Sequence, residues 1–126
     1  MTFTFPTPLN AAGQPSTVSG VVSPLKADGT PSLAVLSNDT FTSSDPTVFT
    51  VAADPSTPNG FLITLVNVTS TVPVQATHTY TALGTEASGA TETISGSDLI
   101  VITPAAVVVV PILPAASLVA TYGSPA

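Results

Sequence analysis

Phe41-Thr42-Ser43-Ser44-Asp45-Pro46-Thr47-Val48-Phe49-Thr50-Val51 sets a tight turn signal, Ser-Ser-Asp-Pro, between two short runs in which aromatic or aliphatic residues alternate with Thr. Period-two alternation is the pattern of a half-buried strand, because successive side chains of an extended chain point to opposite faces. Asp and Pro between such runs are turn chemistry: Pro pre-sets φ, and Asp hydrogen-bonds the backbone two residues on. The stretch predicts strand, turn, strand, with Phe41, Val48 and Val51 in the core and Ser43 to Pro46 in the turn.

The same grammar extends in both directions. Thr2 to Phe5 opens the chain and stops at Pro6. Thr17 to Leu25 is the next β-prone run, closed by the turn Ala27-Asp28-Gly29-Thr30-Pro31. Ser32 to Leu36 and Thr40 to Ser43 flank Asn38-Asp39 and read as two short runs. Thr47 to Ala52 leads into a turn-rich segment ending at Asn59-Gly60, a pair suited to a hairpin turn with positive φ. In Gly60 to Val68, Phe61, Ile63 and Leu65 lie on one face and Leu62, Val66 and Val68 on the other, which predicts at least partial cover on both sides. Val74 to Ala82 alternates cleanly, with Val74, Ala76, His78, Tyr80 and Ala82 on the buried face and Gln75, Thr77, Thr79 and Thr81 toward solvent. A loop over Leu83 to Thr91 follows, then a last strand, Thr93 to Ile102, in which Gly96 predicts a bulge. Thirteen prolines and eight glycines are spread through the chain, and no window sustains a helical period. The prediction is an all-β sandwich of seven to eight strands.

Composition bounds the function. The 126 residues suit one domain with a short appendage. Charged residues are 6% of the chain, against about 25% in ordinary soluble domains, so Thr and Ser hydroxyls must supply the polar surface. Asp28, Asp39, Asp45, Asp54, Glu86, Glu92 and Asp98 stand against Lys26, giving a net charge of -6. One cation cannot neutralise a run of phosphates, which argues against nucleic acid and against an anionic membrane surface. There is no Cys, hence no disulfide framework and no thiolate metal site. The segment Met1 to Gln14 has neither a basic region nor a continuous apolar one, so no secretory signal is read there, and the chain is expected to stay in the cytosol until released. Leu99 to Ala116 is very apolar, but Pro104, Pro111 and Pro114 interrupt it, and a buried strand followed by a tail fits better than a membrane span. The expected organisation is a sandwich over 1–103, its first strand or arm within 1–16, and an extended hydrophobic C-terminal segment over 104–126, either an extra strand or an arm docked on a neighbour.

Phe41, the tetrapeptide Ser43-Ser44-Asp45-Pro46, Val48 and Val51 are also the pattern by which this chain resembles the bacterial immunoglobulin-like domain, group 2. Gly60 to Val66 and the alternating Ala76 to Ala82 follow in the family's order, and Ala11 to Val21 is similar to the run that precedes such domains in some phage and prophage proteins. The resemblance spans roughly Ala11 to Thr103 and implies an immunoglobulin-like β-sandwich. The chain departs from the pattern in having Phe for the central Trp, a long loop over Ala52 to Asn59, and His78 and Tyr80 where small or aliphatic residues are usual.

No catalytic constellation is read. His78 is the single imidazole, whereas a catalytic base needs a nucleophile and an orienting partner, and zinc needs three or four ligands. It is expected to be a structural histidine. Asp39, Asp45 and Asp54 could in principle gather around Ca²⁺, but without EF-hand or nonapeptide spacing they are expected to cap turns. Asn38-Asp39-Thr40 and Asn67-Val68-Thr69 match the glycosylation acceptor and, with no export signal read, are taken as accidental. No Ser or Thr sits in a G-x-S-x-G or S-x-x-K context. The expectation is a chain that is not an enzyme, with no catalytic, cofactor or metal residues and no cofactor.

Immunoglobulin-like modules of the resembled kind are common on tailed-phage virions and bacterial surfaces, which leads to three expectations. The first is a bacteriophage structural protein assembled in the host cytoplasm, a capsid decoration or accessory protein whose termini contact capsid or tail proteins or copies of itself. The second is a bacterial surface adhesin or carbohydrate-binding module. The third is a self-assembling filament subunit whose tail completes a neighbour's sheet, with low charge reducing repulsion between copies.

Overall fold

A computed structural model describes residues 1–105, so the expected C-terminal extension lies outside the described residues beyond Ala105. Among the described residues there are seven strands and no helix: β1 Thr2–Phe5, β2 Thr17–Val21, β3 Val35–Ser43, β4 Phe49–Ala53, β5 Gly60–Leu65, β6 Val74–Thr85 and β7 Thr91–Ile102. They form a four-stranded sheet in the order β1-β7-β6-β3 and a three-stranded sheet in the order β2-β5-β4. Neighbours pair antiparallel, except that β1 runs parallel to the C-terminal end of β7. This division of strands is that of an immunoglobulin-like sandwich.

The core between the sheets is built from inward-facing residues of both. Phe49, Ile63 and Leu65 come from the smaller sheet, and Phe5, Ala76, Ile100 and Ile102 from the larger, with Val48 beside them. Phe49 is 0% exposed. Of the residues expected in the core around the Ser-Ser-Asp-Pro turn, Val48 is buried and Val51 packs against the core, while Phe41 is half-buried and stacks on Phe61 and His78. The turn itself carries the chain from one sheet to the other. Ser44 donates its amide to the Thr77 carbonyl and accepts the Thr77 amide on its hydroxyl, which moors the chain to β6. The Asp45 carboxylate then accepts the amide and hydroxyl of Thr47, turning the chain into β4.

Two expectations are corrected. Asn38-Asp39 does not separate two strands: Asn38 adopts φ 53°, the register shifts between Ser37 and Thr40, and β3 runs through as one bulged strand. Gly96 is not a bulge, since the β6–β7 register is unbroken from Val74↔Ile102 to Thr85↔Thr91. Along Gly60 to Val68, Ile63 and Leu65 are buried, while on the other face Leu62 and Val66 are 41% and 47% exposed and Val68 packs against the core, so that face is covered in part.

The outward face of the four-stranded sheet is a lattice of hydroxyls. Thr77, Thr79 and Thr81 of β6 lie opposite Leu99, Ser97 and Ser95 of β7, and Thr40 and Thr42 of β3 face Thr81 and Thr79 on the other side. The Thr40 and Thr81 hydroxyls hydrogen-bond to each other. Strand alternation sends the β7 charges Glu92 and Asp98 to the opposite, inward side from Ser95 and Ser97.

Candidate functional site

β1 covers β7 only from Leu99 to Ile102, and β2 is the edge of the opposite sheet. Beside that short β1 the sandwich opens sideways into a cleft of about 470 Å³, lined among others by Phe3, Val18, Phe61, His78, Tyr80 and Asp98. A second hollow of about 310 Å³ continues it, sharing Val22, Ser23 and Tyr80 and reaching Leu36, Ile94 and Gly96.

Two glycines shape the walls. Gly20 is paired with Phe61 across β2–β5, and Gly96 with Tyr80 across β6–β7. In each case the ring lies where a Cβ would be, 2.5 Å from its ideal position. Absence of a side chain lets the aromatic lie against the backbone.

His78 sits at the bottom of the cleft, 1% exposed, opposite Asp98 on β7. Its ring is surrounded by those of Phe61, Tyr80 and Phe41, with centroids at 4.7, 5.1 and 5.9 Å. Burial holds its pKa below the usual 6.5, partly opposed by the Asp98 carboxylate, and its Nε2 has no hydrogen-bond partner among the described residues. Burial, and then the Asp98 charge, raise the Tyr80 phenol above its usual value. The α-ammonium of Met1 lies 3.5 Å from Asp98. A neutral imidazole packed among aromatic rings has the environment of a core residue.

The three aspartates considered together for Ca²⁺ are not brought together. Asp45 and Asp54 lie at opposite ends of β4, each carboxylate occupied by its own turn through Thr47 and Ser56. Asp28 does the same with Thr30. The hydroxyl and then the amide that each turn donates hold all three carboxyls below the usual range. Asp39 lies in the β3 bulge, its Oδ1 without a hydrogen-bond partner among the described residues. Among the described residues no three His, Cys, Asp or Glu side chains are grouped to hold a metal ion.

Two features escaped the reading of the sequence. The cleft itself depends on where β1 begins along β7, which no local pattern encodes. The other is a repeat: Pro8-Leu9-Asn10-Ala11-Ala12-Gly13-Gln14-Pro15-Ser16 recurs as Pro24-Leu25-Lys26-Ala27-Asp28-Gly29-Thr30-Pro31-Ser32. Both copies close through the same backbone hydrogen bonds, Asn10 to Gln14 and Lys26 to Thr30, with Gly13 and Gly29 at positive φ. Glu86-Ala87-Ser88-Gly89-Ala90, joining β6 to β7, closes identically. Near the second copy, Leu25, Leu33 and Val35 are exposed, Leu33 at 95%.

No family model matches this chain, and no curated protein or solved structure matches it either.

Proposed function

We propose that this chain is a non-enzymatic structural protein that works in many copies, and that its place is the bacteriophage virion, as a capsid decoration or accessory protein held by protein–protein contacts. The observation that carries the reading is the distribution of polarity. The charged side chains of the described residues lie in turns, in the β3 bulge or on the inward side of β7, leaving the hydroxyl face of the four-stranded sheet uncharged. Leu25, Leu33 and Val35 are exposed at one end. Surfaces without repelling charge, together with exposed apolar side chains, favour close packing of copies or partners. The group 2 resemblance supplies the virion context.

Mass spectrometry of phage particles released when producing cells lyse tests this: the chain should be present in a fixed, multiple copy number. Its absence from such particles sinks the virion assignment. Sedimentation of the pure protein across a concentration series tests the multi-copy part, for which a monomer at every concentration is the contrary result.

A carbohydrate-binding module is a second reading, favoured by Phe3, Phe61 and Tyr80 beside the Asp98 carboxylate in one cleft. Calorimetric titration with oligosaccharides separates the two, since the structural reading expects no heat.

A further inference from the structure

We propose that Asn59 is a self-modification site: when the start of β5 unpairs, the Gly60 amide nitrogen closes on the Asn59 side chain, and the isoaspartate that follows records the opening permanently.

The fold itself asks for both residues of the pair. Gly60 donates its amide to the Thr57 carbonyl over 3.0 Å, closing a four-residue turn with Pro58 second and Asn59, at φ 59°, third. That is the disposition of a type II turn, whose third position takes Gly or Asn. At Gly60 a Cβ would lie 2.8 Å from the Thr57 Cβ and 2.9 Å from its carbonyl oxygen, so a side chain does not fit there. The turn thus selects Asn followed by Gly, the dipeptide in which no side chain shields the second nitrogen from the side-chain amide of the first.

The chemistry needs only the pair, a solvent base and water. Base takes the Gly60 amide proton, the nitrogen bonds to Asn59 Cγ, the bond from Cγ to the side-chain nitrogen breaks, and ammonia leaves. Water then opens the succinimide. Attack at the former side-chain carbonyl gives aspartate; attack at the main-chain carbonyl gives isoaspartate, whose backbone runs through Cβ and is one atom longer.

The folded chain holds these atoms away from the reaction. The Gly60 proton is engaged by Thr57, the Asn59 carbonyl accepts the Val22 amide at 3.0 Å, and the Gly60 carbonyl accepts the Asp54 amide at 2.9 Å. Ring closure must bring Cβ and the Gly60 nitrogen onto the same side of the Asn59 Cα–C bond, whereas the third position of such a turn holds ψ at about 0°. Reaction therefore waits on local opening. Gly60 begins β5, the strand between β2 and β4, and is paired with Val21, so an extra backbone atom before it prevents this end of the sheet from closing again in register.

Full-length protein incubated in native buffer and in concentrated urea, at one mildly alkaline pH, tests this by peptide mapping of aspartate and isoaspartate. In urea Asn59 should react faster than Asn10, Asn38 and Asn67, which precede Ala11, Asp39 and Val68. In native buffer its rate should fall by about tenfold or more. An Asn59 rate no greater than the other three in urea, or equal in the two solvents, overturns the proposal. Asp54→Ala removes the carboxylate that accepts the Ser56 amide at 3.0 Å, and should raise the native rate several-fold while leaving the urea rate unchanged. Should that variant unfold, hydrogen exchange at the wild-type Gly60 amide serves instead: over a series of low urea concentrations exchange and modification should rise in proportion, and exchange that rises alone overturns the gate. Asn59→Gly should keep the thermal transition and remain unmodified at that position. Isolated isoaspartate chains should unfold at a lower urea midpoint, and an unchanged midpoint overturns the lasting loss of β5 pairing.

Discussion

The ring of Tyr80 covers Gly96 so closely that a Cβ there would lie 2.5 Å from its Cε2, and Phe61 stands in the same relation to Gly20. The two rings differ in freedom. Tyr80 borders open space in both hollows, whereas Phe61 is held between Phe41 and His78. Gly20→Ala is therefore expected to cost about 1–3 kcal/mol, the range for overpacking, and Gly96→Ala less, because Tyr80 can swing into the cleft. Denaturant midpoints of the two variants check the order. Combining Gly96→Ala with Tyr80→Ala should cost less than the sum of the single changes.

His78 gives the fold a pH dependence with a definite sign. Its folded pKa lies below the ordinary 6.5 through burial, with Asp98 opposing, so the unfolded chain takes up a proton that the folded chain refuses. Its contribution is complete above about pH 6.5 and declines as pH falls from there toward the folded value. The wild type should have a lower urea midpoint at pH 5 than at pH 7.5, and His78→Leu should show a smaller difference. An equal difference in both proteins would place the effect elsewhere.

Ser44 joins the turn to β6 by its hydroxyl. Ser44→Ala leaves the Thr77 amide without this acceptor, 2.8 Å away in the wild type, and should cost about 1 kcal/mol in equilibrium unfolding. Asp45→Asn should keep the turn, because the amide oxygen can still accept from Thr47, whereas Asp45→Ala should lower the melting temperature.

The two aromatic residues of the opening stretch should separate in mutagenesis. Phe49 is fully buried among core residues of both sheets, so Phe49→Ala should cost about 3–5 kcal/mol. Phe41 is half-buried, and Phe41→Ala should cost distinctly less. Chemical denaturation with an unchanged m-value verifies both.

Much of the fold was legible because strand alternation and turn residues are local signals. Val74 to Ala82 showed its buried face correctly, and the strand runs on to Thr85. The Asn38-Asp39 pair misled because Asn tolerates positive φ equally well in a turn and in a bulge, and only pairing with β6 distinguishes them. Gly96 misled for a related reason: a glycine in a strand serves a bulge or a close approach, and the Tyr80 ring that decides it is on another strand. Phe49 lay inside the quoted stretch but was not singled out, since its depth depends on the opposing sheet. The cleft is a property of where β1 begins and β2 ends, and is visible only once both sheets are assembled.

The hydroxyl lattice on the four-stranded sheet has a further consequence. Coulomb attraction between surfaces weakens as ionic strength rises, because counterions screen charge within about 10 Å at 0.1 M. A contact made through Thr77, Thr79, Thr81, Ser95 and Ser97 has no such attraction to lose. It would hold equally in dilute buffer and in brine, so that the partner's shape, rather than the salt of the surroundings, decides when the face is occupied.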